Sequence, residues 1–202
     1  MRSDLGDAHA AYLQRLGLTA EPPSVEALFR MHRAHVERVP YETVWIHTGE
    51  RRGIDPTESI RQIARGRGGY CFQLNGALAE LLVALGYAVT RHVGGVHGPT
   101  GASEDEMGNH LVLLVHDLTD SSGDDVAWYV DVGLGDALHE PMPLRPHTAV
   151  QGPFRLALEA TRGGVGDWHL AHDPSGGVTG MAWRDAPVAI DAFAARHGPL
   201  AP

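Results

Sequence analysis

A chain of 202 residues has room for one domain or two small ones, and a 43% hydrophobic content is enough to bury a core. The formal net charge is -9, with only 16 Lys+Arg and no dense basic cluster, which disfavours nucleic acid or an anionic membrane as the main partner. The single cysteine makes no internal disulfide, no segment approaches the roughly 18 consecutive apolar residues of a membrane span, and acids interrupt "MRSDLGDAHAAYLQRLG" where a signal peptide is apolar, so a reducing, cytoplasmic setting is expected.

The first ninety residues read as helical. Val25, Leu28, Phe29, His32, Val36 and Val39 recur at helical spacing after Ser24, an N-cap by type, and Pro40 ends the run. In "DPTE", Asp55 is a cap, Pro56 suits the first helical position and Glu58 stands three residues after the cap; Ile60, Ile63 and Ala64 then face inward. From Cys71, the positions Leu74, Ala77, Leu78, Leu81, Leu82 and Leu85 make another helix face, which Gly86 closes.

After Gly86 the period changes. "YAVTRHVGGV" (87–96) alternates like a strand, and "NHLVLLVHDL" (109–118) is a compact buried strand. "VAWYVDVGLG" (126–135) is a third, ended by a Gly-x-Gly turn. Residues 97–108 and 119–125 are polar loops, with solvated acids around 103–106 and 124–125. Between 136 and 180, "FRLALEA" and "WHLAH" suit further strands of an antiparallel sheet or small barrel. The layout expected is α+β, helical first and β-rich afterwards, with the boundary near residue 90.

"RGRGGYCFQLNG" (65–76) puts the one thiol where a glycine turn becomes a helix. A free thiol titrates near 8.5 and attacks only as thiolate. A helix N-terminus and a neighbouring imidazole both favour that form. Gly68 and Gly69 permit a tight turn whose N–H groups suit an oxyanion. A buried structural cysteine is the plainer alternative, and the local sequence leaves both open. Among 13 histidines, His110 is distinctive because it opens the apolar strand "HLVLLV". Asp131, an acid inside the apolar strand "YVDVGLG", needs a partner once buried, and an imidazole N–H suits it. The competing reading is a turn-capping acid before Gly133. Taken together, Cys71, His110 and Asp131 form a Cys-His-Asp series in chain order, each at an element end.

Metal and phosphate signals are lacking. His32 and His35 lie i, i+3 on a helix, and His169 and His172 are three apart, but there is no CxxC or HExxH, so core or surface histidines are expected and no metal. No GxGxxG or P-loop occurs. A single "RGRGG" in an acidic chain without aromatic repeats does not make an RNA-binding segment.

"RGGYCFQLNGALAELLVALGY", "HLVLLV", "YVDVGLG" and the upstream "HVERVPYET" resemble, in order and spacing, the signature blocks of the arylamine N-acetyltransferase family, over about residues 10 to 190. The resemblance implies a helical bundle (1–90) carrying the cysteine, an antiparallel β-barrel (91–190) carrying His and Asp in a cysteine-protease-like arrangement, and a third, lid domain. Residues 191–202 look like the start of the interdomain segment or a tail, with the lid missing or truncated. The resemblance also implies a Cys71–His110–Asp131 triad and ping-pong chemistry. Acetyl-CoA acylates Cys71, an arylamine or hydrazine takes the acetyl group, and His110 moves the proton. It places Arg67 and Glu42 as a pair beneath the site, where the alternative is a surface ion pair worth little. Tyr41, Val96, Gly133 and Leu134 fall at substrate-binding positions. Leu134 stands where the family motif carries Phe, an aliphatic wall in place of an aromatic one. Other readings use the same residues: an amide synthase fed by a carrier-bound acyl chain, a thiol hydrolase, or a binding module that keeps the triad as a relic.

Overall fold

Capping chemistry fixes the helical layer. The computed structural model describes residues 6–120, 122–135 and 138–201. Helix α1 (Asp7–Leu16) is followed by α2 (Val25–Arg38), where the Ser24 hydroxyl accepts from the Ala27 N–H at 3.1 Å. A single turn, α3 (Val44–His47), precedes α4 (Pro56–Ala64), where Asp55 accepts from the Glu58 N–H at 2.8 Å. Helix α5 (Cys71–Ala84) ends as expected: Gly86 takes φ +96°, its N–H bonds the Val83 carbonyl, and the Tyr87 N–H bonds that of Leu82. That double closure needs a left-handed residue, which glycine adopts without strain.

The strands are β1 (Ala88–His97), β2 (His110–Thr119), β3 (Asp125–Val130), β4 (Met142–Pro143), β5 (His147–Gln151), β6 (Phe154–Ala160), β7 (Trp168–Ala171) and β8 (Gly180–Pro187). They form one antiparallel sheet in the order β4-β3-β2-β1-β8-β7-β6-β5. The sheet curls on itself. Val112 and Leu114 of β2 share an apolar cluster with Leu156 and Leu158 of β6, far along that order. The Gln151 side chain at the end of β5 exchanges two 2.9 Å hydrogen bonds with the Glu140 main chain just before β4, so the two edges meet in a nearly closed barrel.

Strand β2 is buried on both faces from His110 to Val115. Leu111, Leu113 and Val115 pack into the helical core with Phe72, Leu74 and Leu78, while Val112 and Leu114 point into the barrel beside Tyr129, Met181 and Trp183. An apolar run without alternation is what a strand between two cores requires.

One feature differs from the sequence reading. The third strand stops at Val130, not 135, so Asp131 lies just beyond the strand and not inside it. Leu113 pairs with Val130, and continuing the register would set Val112 opposite Asp131 and Leu111 opposite Val132. The Asn75 amide from α5 is inserted there instead, donating to the Leu111 carbonyl at 2.7 Å and accepting from the Val132 N–H at 2.9 Å. The chain end also docks on the helical layer. After a 3-10 turn (Ile190–Phe193), α6 (Ala194–Leu200) lies over the start of α5. Phe193 is fully buried with its ring 5.2 Å from Phe72, and the His197 ring bridges the Tyr70 hydroxyl (2.5 Å) and the Arg52 carbonyl (2.7 Å). No described helix is long and apolar enough to cross a membrane.

Candidate active site

Cys71 is buried as the first residue of α5, and the turn before it is held from both sides. Gly68 packs so closely on the Pro40 carbonyl that a Cβ would stand 2.0 Å from its oxygen, so glycine is required there. Tyr41 and Gly69 form a parallel bridge, with the Glu42 N–H donating to the Gly69 carbonyl at 2.8 Å. The Gln73 amide oxygen reaches back to the Tyr70 N–H at 3.1 Å, and its amide nitrogen donates to the Gly53 carbonyl at 3.1 Å. The thiol donates to the Asn109 carbonyl at 3.6 Å.

The next residue after Asn109 is His110, whose Nε2 stands 2.7 Å from Asp131 Oδ2. The Cys71 thiol, bonded to the carbonyl of the preceding residue Asn109, lies near enough for its charge to act on the imidazole. Asp131 is fully buried and its oxygens are saturated. Oδ2 accepts from His110 and from the Tyr129 hydroxyl at 2.9 Å; Oδ1 accepts from Asn75 Nδ2 at 2.7 Å and from the Gly133 N–H at 2.9 Å. Asp131 is therefore both the partner of the histidine and the cap of the turn before Gly133. Burial opposes its ionisation, but the His110 charge and the hydrogen bonds hold it below the usual carboxylate value. For His110, burial pulls the imidazole down; Asp131 and then Cys71 overcome that and raise it to about 10. Burial, with the Asp131 charge behind it, holds the Tyr129 hydroxyl well above the ordinary phenol value, so it stays a donor.

Gly133 lies on the nucleophile itself: a Cβ there would sit 2.6 Å from Cys71 Cα and 3.1 Å from Cys71 Cβ. Tyr41 is 47% exposed at the rim. Burial and then the charges of Cys71 and Asp131 raise its hydroxyl to about 12. Cys71, His110, Asp131, Gly133 and Tyr41 thus come together. Leu134 is buried in the barrel core, and half-buried Val96 packs against that cluster while its main chain is clasped by the Asn109 side chain at 2.9 and 3.0 Å.

The expected pairing of Arg67 with Glu42 is not what forms. Glu42 pairs with Arg52 at 3.3 Å, and Arg67 pairs with Glu50 at 2.7 Å. Arg52 is the cation that reaches under the glycine turn. Its side chain is 6% exposed, lies 5.2 Å from the Trp45 ring centre and donates to the Gly68 carbonyl at 3.2 Å. Arg67, 45% exposed, points outward. Among the described residues no group of three or more His, Cys, Asp or Glu is placed to hold a metal ion. His32 and His35 are buried, and burial lowers them to about 4 and about 3. His169 meets His97 with their Nε2 atoms 3.0 Å apart.

Sequence reasoning passed over Asn75, Tyr129 and Arg52. Asn75 had a legible signal, an amide one helical turn after Cys71 and so on the same face of the helix. Tyr129 had another, since i and i+2 share a face of an extended chain. Arg52 had none, because its partners depend on how the loop before α4 runs.

The profile of a family described as N-acetyltransferase matches residues 24–181. Proansamycin X synthase of Amycolatopsis mediterranei is 28% identical over 175 residues, covering 80% of this chain and 65% of that one. The arylamine N-acetyltransferase pineal gland isozyme of Gallus gallus is 33% identical over 160 residues, covering 76% and 51%. Among solved structures, the Mycobacterium marinum arylamine N-acetyltransferase in complex with CoA superposes with a TM-score of 0.76 at 24% identity, covering 92% of this chain and 68% of the other. The chain spans about half to two thirds of the length of these curated relatives.

Proposed function

The chain belongs to the arylamine N-acetyltransferase family, and from that premise we propose that it moves an acetyl group from acetyl-CoA to an arylamine or hydrazine nitrogen through a thioester on Cys71. The observation that carries this reading is the buried site in which His110 stands 2.7 Å from Asp131 while the Cys71 thiol bonds the carbonyl of Asn109, the residue next to that histidine.

The steps follow from that geometry. With His110 raised to about 10, the proton shared with Cys71 rests on the imidazole, and the sulfur attacks the carbonyl carbon of acetyl-CoA. The new C–S bond forms, the bond to the CoA sulfur breaks, and the His110 proton leaves with that sulfur. The amine then attacks the Cys71 thioester. Its proton passes to His110 and on to the Cys71 sulfur as the C–S bond breaks and the amide forms. Asp131 stays ionised throughout, fixing the ring and stabilising the imidazolium. The Cys71 N–H, at the first helical position, has no intrahelical carbonyl to bond and is the oxyanion donor in this reading. Tyr41 meets the acceptor at the rim, Gly133 keeps the approach to the sulfur open, and Val96 and Leu134 shape the apolar wall behind. Arg52 and Glu42 hold the glycine turn. A nucleophile that has to stay reduced suits the cytoplasm.

Initial rates test this. Parallel double-reciprocal lines across acetyl-CoA and arylamine concentrations are expected, with one equivalent of CoA released before any acceptor is added. Intersecting lines without acceptor-independent CoA release would refute it. A second reading, amide synthesis from a carrier-bound acyl chain, is favoured by the Amycolatopsis relative, a synthase by name that aligns over a longer stretch than the Gallus enzyme. It predicts acylation of Cys71 by an acyl carrier thioester and none by acetyl-CoA.

A further inference from the structure

His32 is fully buried on α2, outside the triad, and its ring is fully engaged. Its Nδ1 stands 3.2 Å from the His139 carbonyl, which can only accept. The Asp131 main-chain N–H points at Nε2 from 3.3 Å, and the Asp131 carbonyl oxygen lies 3.1 Å from the same atom. The neutral tautomer with Nδ1–H satisfies two of these three contacts, donating to His139 and accepting from the Asp131 N–H, whereas the Nε2–H tautomer satisfies only the Asp131 carbonyl. His35, one turn on, has no hydrogen-bond partner for either ring nitrogen among the described residues, so burial on α2 does not by itself create such bonds.

The place of these contacts matters. The β2–β3 ladder ends at Leu113 and Val130, and Asn75 takes over the next pair of main-chain groups. On its other edge β3 pairs with β4 only through Trp128–Pro143 and Tyr129–Met142, so the Asp131 N–H lies beyond that ladder, and the His32 imidazole receives it in place of a strand carbonyl. We infer that His32 is a positioning residue for the triad, a side-chain substitute for the missing strand that fixes the Asp131 main chain to α2 and so sets where its carboxylate meets His110. Helix α2 is anchored through Leu28, Met31 and Ala34 in the helical core, so it is a rigid mount. Burial lowers His32 to about 4, which keeps the accepting nitrogen free at neutral pH. The inference rests on the triad reading above.

Two conservative variants separate positioning from bulk stability. An asparagine amide reproduces the Nδ1 position, and a glutamine amide the Nε2 position. His32→Asn keeps the bond to His139 and loses the one to Asp131; His32→Gln does the reverse. Each loses one hydrogen bond, so similar falls in melting temperature are expected. The readout is the second-order rate of Cys71 alkylation by iodoacetamide at pH 7 in the full chain. His32→Gln is expected within about threefold of the parent, and His32→Asn slower by on the order of tenfold to a hundredfold, the cost of a misplaced reacting group. Equal rates in both folded variants, or losses that track melting temperature alike, overturn the inference. A parent protein that alkylates no faster than a free thiol overturns the triad reading instead. Because either variant can fail to fold, ¹⁵N spectra of histidine-labelled parent protein give a variant-free check. A neutral Nδ1–H tautomer for His32 at pH 7 is expected, and an Nε2–H tautomer or an imidazolium overturns the inference.

Discussion

Substituting alanine for Gly133 tests how tightly the turn after β3 is fitted to the nucleophile. The added Cβ would lie 2.6 Å from Cys71 Cα and 3.2 Å from Asn75 Nδ2, where ordinary contacts begin at 3.4 Å. Neither neighbour is the loose end of a flexible side chain, so the turn and the start of α5 have to separate by about 1 Å. Overpacking of this kind costs about 1–3 kcal/mol. In a chain of this size each 1 kcal/mol lowers the melting temperature by about 2–4 °C. The larger effect falls on reactivity. The Gly133 N–H donates to Asp131 Oδ1, so a turn that moves carries the carboxylate off His110. A misplacement of about 1 Å corresponds to a rate loss on the order of a hundredfold. Iodoacetamide labelling of Cys71, followed by mass, gives the rate, and a thermal melt gives the stability. Gly98→Ala is the matched control, since its Cβ would meet nothing within 4 Å and leaves the parent values unchanged. Parent-like labelling in Gly133→Ala would refute the packing argument.

Asp131→Asn removes the charge that most raises His110, leaving burial to pull the imidazole down, and acetyl transfer is expected to fall by roughly a thousandfold or more. A kcat within tenfold of the parent would contradict the role given to Asp131. Arg52→Ala strands Glu42 beneath the glycine turn and is expected to cost about 3 kcal/mol, whereas the exposed Arg67→Ala changes stability by less than about 1 kcal/mol. Urea titrations of the two decide which cation supports the site, and the opposite ranking would overturn the assignment. The third concerns acid. His32 and His35 titrate lower folded (about 4 and about 3) than unfolded (about 6.5), so the unfolded chain binds protons first and stability falls as pH drops below 6.5. At pH 4 each contributes a loss of about 3 kcal/mol. His35→Phe keeps a ring against Tyr12 (5.8 Å between centres) and is expected to reduce the loss between pH 7 and pH 4 by about 3 kcal/mol; equal losses in parent and variant would exclude this origin.

Much of the fold was legible because it is locally encoded. Ser24, Asp55 and Gly86 sit within a few residues of the groups they cap, so their roles can be read from the chain alone. The unbroken apolar run of β2 announced a strand covered on both sides. Cys71 stood out as the one thiol, placed where a glycine turn becomes a helix, His110 as the residue that opens an apolar strand, and Asp131 as an acid in an apolar run. What escaped depends on contacts far apart in sequence. Asn75 meets partners 36 to 57 residues away, and nothing near it shows that an amide replaces one rung of a ladder. The same insertion ends β3 early, which alternation of residue types does not reveal. Glu42 had Arg52 and Arg67 as possible partners, and only the path of the loop decides between them. Strand β1 has β2 on one side and β8 on the other, a pairing no local pattern encodes.

The central claim is that Cys71 carries the acyl group. Intact-protein mass after mixing with acetyl-CoA, and again after adding an arylamine or hydrazine, tests it most directly. The account predicts one acetyl group on Cys71, discharged by the amine and absent from Cys71→Ser. An acetyl group that persists in Cys71→Ser, or no adduct on a Cys71 that iodoacetamide labels readily, would contradict acetyl transfer through this thiol.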